Sequence, residues 1–288
     1  MQYYEIEKDD DKALSSRILQ NAVTIDEMQG KVLVDKLEFP VVYGCNLQCK
    51  HCTVHTPYLH GYPTDLITSL RRWSKKLIPK MTLVLGGEPL LRPDLPKILK
   101  AIRSIYPQTG ILLITNGLLL TQAPTKFWDT IIETDTRITI SAHLANYKET
   151  CEKIDTRLEE YGIRDEVRIG CENFYDSWAT LWQYDDNNFP VLEAKAPAPI
   201  FQECMSKNCF TVHGDYLYRC NLMYGLKMLQ EQNQWHPKVR TMEKIYGIES
   251  HRSIQQIADY LTSEHCYPAC AYCTPNSQLE TVECSQLY

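Results

Sequence analysis

Cys45, Cys49 and Cys52 fall within eight residues, in the run Val42-Tyr43-Gly44-Cys45-Asn46-Leu47-Gln48-Cys49-Lys50-His51-Cys52. Three thiolates at this C-x3-C-x2-C spacing can hold three irons of a cubane [4Fe–4S] cluster and leave the fourth iron open to a chelating ligand. Such clusters ordinarily take four cysteines, so a tight triplet with no fourth cysteine close by suits chemistry better than structure. The same triplet with His55 also spells a Cys3His zinc site. Disulfides fit poorly. Met1 to Asp9 has neither a basic n-region nor an apolar h-region, so it does not read as a signal peptide. The twelve cysteines then read as reduced thiols or metal ligands of a cytoplasmic protein.

A second motif follows in Met81-Thr82-Leu83-Val84-Leu85-Gly86-Gly87-Glu88-Pro89. The apolar run suits a short buried strand and is too short for a helix. Gly86 and Gly87 at its end allow backbone to come close to a ligand. Glu88, held extended by the proline after it, can face the mouth of the sheet and take a ligand ammonium by a charge-assisted bond. A zinc site has no need of this motif.

The elements that must position these residues alternate between strand and helix. Strands are expected at Leu37 to Tyr43, Met81 to Leu85, Ile111 to Thr115, Arg137 to Ser141 and Val167 to Gly170. Helices are expected at Thr64 to Leu77 with a threonine cap, Arg92 to Tyr106 with Pro93 near its start, Phe127 to Glu133, and Asn146 to Tyr161 closed by Gly162. This spacing implies parallel βα units and an α/β fold, a partial (β/α)6 TIM-like barrel with its working residues at the C-terminal strand ends. Tyr43, Glu88, Thr115-Asn116, Ser141 and His143, and Cys171 then share one rim.

Composition sets bounds. A 288-residue chain can bury about three quarters of its unfolded surface, enough for a large domain and a small one. Net charge is −6 with no basic stripe beyond Arg71-Arg72 and Lys75-Lys76, which read as a solvated helix face, so nucleic acid is not an expected partner. The longest apolar stretches, near Ile111 to Leu120, are too short and broken to cross a membrane. Residues 1–36 form an N-terminal extension, 37–185 the barrel and 186–200 a proline-rich linker, leaving 201–288 as a cysteine-rich end. That end holds Cys204, Cys209, Cys220, Cys266, Cys270, Cys273 and Cys284, with a hairpin around Gly214-Asp215 delivering Cys220 and a helix near Ser253 to Leu261.

Taken together, the cysteine triplet with an aromatic (His51) before its last member, and Gly86-Gly87-Glu88, resemble the radical S-adenosylmethionine (SAM) superfamily. The resemblance implies that Cys45, Cys49 and Cys52 hold a [4Fe–4S] cluster and that Glu88 takes SAM's amino group. It also implies cofactor contacts for Tyr43, His51, Gly86, Gly87, Thr115, Asn116, Ser141 and His143. The C-terminal layout resembles the twitch extension, a short relative of the SPASM domain holding one auxiliary [4Fe–4S] cluster. Cys220, Cys270 and Cys273 match its ligands, with Cys204 or Cys209 as the first. The same thiols could instead form a zinc ribbon.

The implied activity is reductive cleavage of SAM to a 5′-deoxyadenosyl radical that takes hydrogen from a small polar substrate, sugar-like or a natural-product intermediate. A reducing donor such as flavodoxin or ferredoxin is implied as a partner. Dehydrogenation of an alcohol carbon is favoured, similar to the inosamine dehydrogenases. Two alternatives are epimerisation, with Cys171 returning a hydrogen, and peptide modification. Peptide-modifying relatives often carry a leader-recognition domain, and 36 residues before the first strand leave little room for one.

Overall fold

The computed structural model describes residues 21–49, 51–173, 178–187 and 189–282. Cys284, most of the N-terminal extension and Asn188 of the linker lie outside the described residues. Five parallel strands run in chain order across one sheet: β2 (Lys31–Val42), β3 (Leu77–Gly86), β4 (Gly110–Thr115), β5 (Thr136–Ala142) and β6 (Ile169–Asn173). Helices α1 (Leu66–Trp73), α2 (Leu95–Ile105), α3 (Thr125–Glu133) and α4 (Tyr147–Glu160) are the crossovers between them.

The helices form because apolar residues recur on one face. In α2, Leu95, Ile98, Leu99 and Ile102 are all buried. Each such side chain contributes about 1.5–3 kcal/mol by leaving water. They meet alternate residues of the sheet, Val84, Ile111, Leu113, Ile138 and Ile140, in the main core. The other face of the strands carries Leu83, Leu112, Ile114 and Thr139, half-buried and facing the hollow of the partial barrel.

Several boundaries differ from expectation for local reasons. The first strand begins at Lys31, because Val23–Asp26 (β1) folds back on it as an antiparallel hairpin through Gly30, at φ 60. The second begins at Leu77, where the end of the expected helix pairs with Val32 instead. Thr64 caps nothing: Asp65 occupies the N-cap of α1 without a side-chain bond. Helix α2 starts at Leu95 with Pro96 in its first turn, leaving Arg92 outside and buried, donating to the Val41 and Pro63 carbonyls. The strand after α4 starts at Ile169, so Cys171, Glu172 and Asn173 lie within it.

After a two-residue strand β7 (Trp178–Ala179), the sixth parallel strand is β8 (Thr211–His213), and it joins the sheet beside β2, with Glu38 opposite Thr211. Antiparallel β9 (Tyr216–Tyr218) and β10 (Ile248–Glu249) extend that edge. The expected hairpin turns at Gly214, at φ 57. Its tip is held by α1: Ser69 and Trp73 donate to the Gly214 carbonyl, and Arg72 pairs with Asp215. Arg72 is therefore an anchor for the hairpin as well as part of a basic face.

A second core gathers around helix α6 (Asn221–Gln232), whose Leu222, Met223, Tyr224, Leu226, Met228 and Leu229 are all buried. Phe189 and Leu192 of the proline-rich stretch are buried in it too, and Pro197–Glu203 forms a short helix, α5, so this stretch is packed structure. The expected C-terminal helix is Ile254–Thr262, closed at its start by a Ser253/Gln256 capping box. No helix among the described residues is long and apolar enough to cross a membrane.

Candidate active site

Gly86 and Gly87 lie against the chain's own backbone. A Cβ on Gly86, at φ 147, would strike the Val42 carbonyl, and one on Gly87 would strike the Gly44 carbonyl. The Gly87 and Glu88 amides donate to those two carbonyls, each at 3.0 Å. The glycines thus press the end of β3 onto the start of the cysteine loop, where a ligand-facing role was expected of them.

That contact fixes Glu88. Its side chain is fully buried and accepts three hydrogen bonds: from the Leu90 amide (3.0 Å), the Thr115 hydroxyl (2.7 Å) and the Asn116 amide (2.9 Å). Burial raises the carboxyl pKa, opposed by these three donors. A carboxylate has about four acceptor positions, so one remains, on Oε2. A buried carboxylate with a spare acceptor is matched by a cationic donor.

Asn116 carries the line onward. Its side-chain nitrogen donates to Asn46 Oδ1 at 2.8 Å and lies 3.9 Å from Cys45 Sγ. Its Oδ1 accepts from the Leu118 amide, and Gly117 turns the chain at φ 81 against Ile140. The end of β4 is therefore tied to both Glu88 and the cysteine loop.

Within that loop Cys49 is buried, while Cys45 and Cys52 are half-buried. Burial pushes the Cys45 thiol up to about 12, with Glu88, Cys52 and Cys49 adding to the rise. Cys52 Sγ lies 3.3 Å from the Thr56 hydroxyl. Among the described residues, no three His, Cys, Asp or Glu side chains close around a single metal ion. His55, the fourth member of the zinc alternative, packs its ring on Trp182 at 4.7 Å. A cubane is larger than one ion, so its thiols can stand wider apart; this triplet, alone in its loop, fits that group.

The remaining rim residues fall into two sets. Ser141 is buried on the hollow-facing side of β5, in register with Glu172 of β6. His143 is half-buried, its pKa pushed down to about 4 by burial, and lines a small cavity with Leu47, Asn116, Leu118, Ala142 and Tyr147. Tyr43 turns the other way, its hydroxyl 2.7 Å from His213 Nε2 of β8. His51 meets Tyr184 edge-on at 5.1 Å, and the Tyr184 hydroxyl donates to the Cys52 carbonyl. Tyr184 has no motif to mark it in the sequence, whereas Glu172 is marked by its place in Cys171-Glu172-Asn173 at the end of the fifth expected strand.

Cys171 is placed apart from these. It is in register with Ile140, whose side chain is in the main core, so it shares the helix-facing side of the sheet. There its thiol is hydrogen-bonded to that of Cys151 on α4. The hollow-facing neighbour at this strand is Glu172.

A second set of thiols meets in the C-terminal region. Cys220 caps α6, its sulfur accepting from the Met223 amide at 3.4 Å. Burial, then Cys220, Cys204 and Cys270, raise the Cys273 thiol well above its ordinary range. Cys204, Cys220, Cys270 and Cys273 thus lie within one another's electrostatic reach. Cys209 is raised by burial first and then by Glu38, before Cys220 and Cys204, so it leans toward the sheet.

Residues 39–172 match the family model described as the Radical SAM superfamily. The GTP 3',8-cyclase of Aliarcobacter butzleri (strain RM4018) is 32% identical over 146 residues, covering 48% of this chain and 44% of that protein. The GTP 3',8-cyclase of Sulfurimonas denitrificans is 32% identical over 102 residues, covering 34% of this chain and 32% of that protein. The chain thus spans less than half the length of these curated relatives. The solved structure of BtrN in complex with AdoMet and 2-DOIA is 16% identical, covering 83% of this chain and 98% of that chain at a TM-score of 0.45. The cysteine triplet and the Glu88 network both fall within residues 39–172, the part of the chain that is similar to the Radical SAM superfamily, a family that uses SAM and a [4Fe–4S] cluster.

Proposed function

We propose that this protein uses SAM to remove hydrogen from an alcohol carbon of a small polar, sugar-like substrate, oxidising it. The observation that carries the reading is the continuous line Glu88–Asn116–Asn46–Cys45, which connects a buried carboxylate with a spare acceptor to the cysteine triplet. Cys45, Cys49 and Cys52 would hold the cluster, and Glu88 would receive SAM's ammonium. His143 would face the rest of SAM from the cavity it lines with Asn116, and Ser141 from the hollow-facing side of the same strand end. When bound, the two cofactors supply a one-electron cleavage yielding methionine and a 5′-deoxyadenosyl radical able to take hydrogen from carbon.

The chain's own part is to bind, orient and exclude water. Thr115 and the Asn116 amide hold the Glu88 carboxylate in place, and the half-buried wall of Leu83, Leu112 and Ile114 keeps the hollow apolar. Glu172 is the charged residue of β6 on the hollow side, suited to hydroxyl or amine groups of a substrate. Oxidation is favoured over epimerisation by the four C-terminal thiols, Cys204, Cys220, Cys270 and Cys273, with Cys204 preferred to Cys209 by its neighbours. An auxiliary [4Fe–4S] cluster on these four would supply an electron sink when bound. The thiol-donor reading draws less support, since Cys171 is half-buried on the helix-facing side, packed against the main core and Cys151.

A second reading, radical chemistry on a nucleotide, is favoured by the relatives named GTP 3',8-cyclase. The two separate in one experiment. Reconstituted enzyme is given C-deuterated aminocyclitols or GTP, and deuterium is followed into 5′-deoxyadenosine. Transfer from an aminocyclitol, with one carbonyl formed per SAM consumed, supports the proposal; transfer from GTP alone overturns it.

A further inference from the structure

Arg219 immediately precedes Cys220 and is 4% exposed. Among the described residues its guanidinium donates to uncharged acceptors: the carbonyls of Lys207 (2.7 Å), Tyr260 (3.0 Å) and Ser263 (2.9 Å), and Asn208 Oδ1 (3.4 Å), with the Tyr267 phenol a further hydrogen-bond partner. No carboxylate among the described residues forms an ion pair with it. An arginine cannot shed its charge in a protein, and a buried charge without a counter-charge is costly. The hydrogen bonds orient the cation without neutralising it.

Other positive groups gather at the same place. Lys207 follows Cys204 by three residues and sits over the Phe201 ring, as does Arg219. Both cations lie within electrostatic reach of Cys204. Cys220 occupies the N-cap of the twelve-residue helix α6, where unpaired amides carry partial positive charge. Around Cys45 the sign is reversed, since Glu88 adds negative charge there.

We propose that Arg219, with Lys207 and the N-terminus of α6, is a fixed counter-charge for an iron–sulfur cluster on Cys204, Cys220, Cys270 and Cys273. It raises that cluster's reduction potential and makes it the electron acceptor of the pair. This rests on the auxiliary-cluster reading above. Net charge and hydrogen bonding are among the factors that set the potential of such clusters. Four thiolates around a cubane leave it net negative, and each added electron makes it more so. A buried cation beside it favours the reduced form, and the guanidinium gains the counter-charge that the described residues do not give it.

The test is an EPR-monitored redox titration of the anaerobically reconstituted full chain. It compares wild type with Arg219→Gln, Arg219→Lys and Lys207→Gln. Arg219→Gln is expected to make auxiliary-cluster reduction about tenfold less favourable, a fall of about 59 mV for a one-electron couple. Lys207→Gln should shift it the same way by less. Arg219→Lys should stay near wild type, and the cluster on Cys45, Cys49 and Cys52 should not move in any variant. If Arg219→Gln cannot be loaded, Lys207→Gln still decides. Unmoved auxiliary potentials in protein carrying about eight irons per chain would overturn the counter-charge role alone. So would an Arg219→Lys shift as large as that of Arg219→Gln. About four irons in wild type would remove the auxiliary cluster itself, and this inference with it.

Discussion

The Thr115 hydroxyl donates to the Glu88 carboxylate at 2.7 Å, and both side chains are buried. This bond joins the ends of β3 and β4 at the place where the Asn116 amide reaches the second carboxylate oxygen. Glu88 is thus a carboxylate held in a single orientation before any cofactor arrives. Such preorganisation is how a binding site avoids the cost of ordering its groups on contact.

Glu88→Gln removes the charge and sets an amide NH2 against groups that are already donors. A hydrogen bond to a charged group contributes about 1.5–3 kcal/mol. SAM binding to reconstituted protein should weaken by at least about tenfold. Equilibrium dialysis with labelled SAM measures it, and wild-type affinity in the variant would separate Glu88 from the cofactor.

Gly87→Ala should fail for a backbone reason. The added Cβ meets the Gly44 carbonyl, and neither partner is a flexible side chain. We expect overpacking of about 1–3 kcal/mol or more and poor iron loading of the Cys45 loop. Urea denaturation and iron content check both; normal values for each would contradict the contact.

Tyr43→Phe removes the partner of His213 Nε2, whose imidazole burial already disfavours in its charged form. Leaving a buried nitrogen unpaired costs about 1–3 kcal/mol. A double-mutant cycle with His213→Phe should return a coupling energy of that order, and additive effects would show that the bond contributes nothing.

Much of this site was legible because it is local. The cysteine triplet and Gly86-Gly87-Glu88 are contiguous runs, and Thr115 and Asn116 follow an obvious apolar strand. Long-range pairings left no such trace: Tyr43 with His213, or Glu38 with Thr211, join residues some 170 positions apart. Helix α6 is buried on so many sides that its sequence shows little periodicity. The start of β6 shows how a small error propagates. Placing Cys171 beyond the strand left it free to face the mouth, whereas inside the strand the alternation of side chains assigns it to the helix-facing side and Glu172 to the hollow.

Stability should depend on pH through Glu38. Burial lifts its carboxyl from 4.5 to about 8, against the lowering pull of Thr211 and Lys36. Between those values the folded protein keeps a proton that the unfolded chain has released. Stability therefore falls as pH rises through that window and levels off above it. Glu38→Gln should flatten the slope and gain on the order of a few kcal/mol near pH 8.5. Urea midpoints at about pH 5.5 and about pH 8.5 measure this; parallel pH dependence in both proteins would contradict it.

The central claim is that the Cys45 loop and Glu88 form one site for reductive cleavage of SAM. The most direct measurement is 5′-deoxyadenosine formed from SAM and a strong reductant by reconstituted wild type, Cys45→Ala and Glu88→Gln. Wild type is expected to form it, Cys45→Ala none, and Glu88→Gln far less at limiting SAM. Equal product from Cys45→Ala, or none from iron-loaded wild type, would contradict the account.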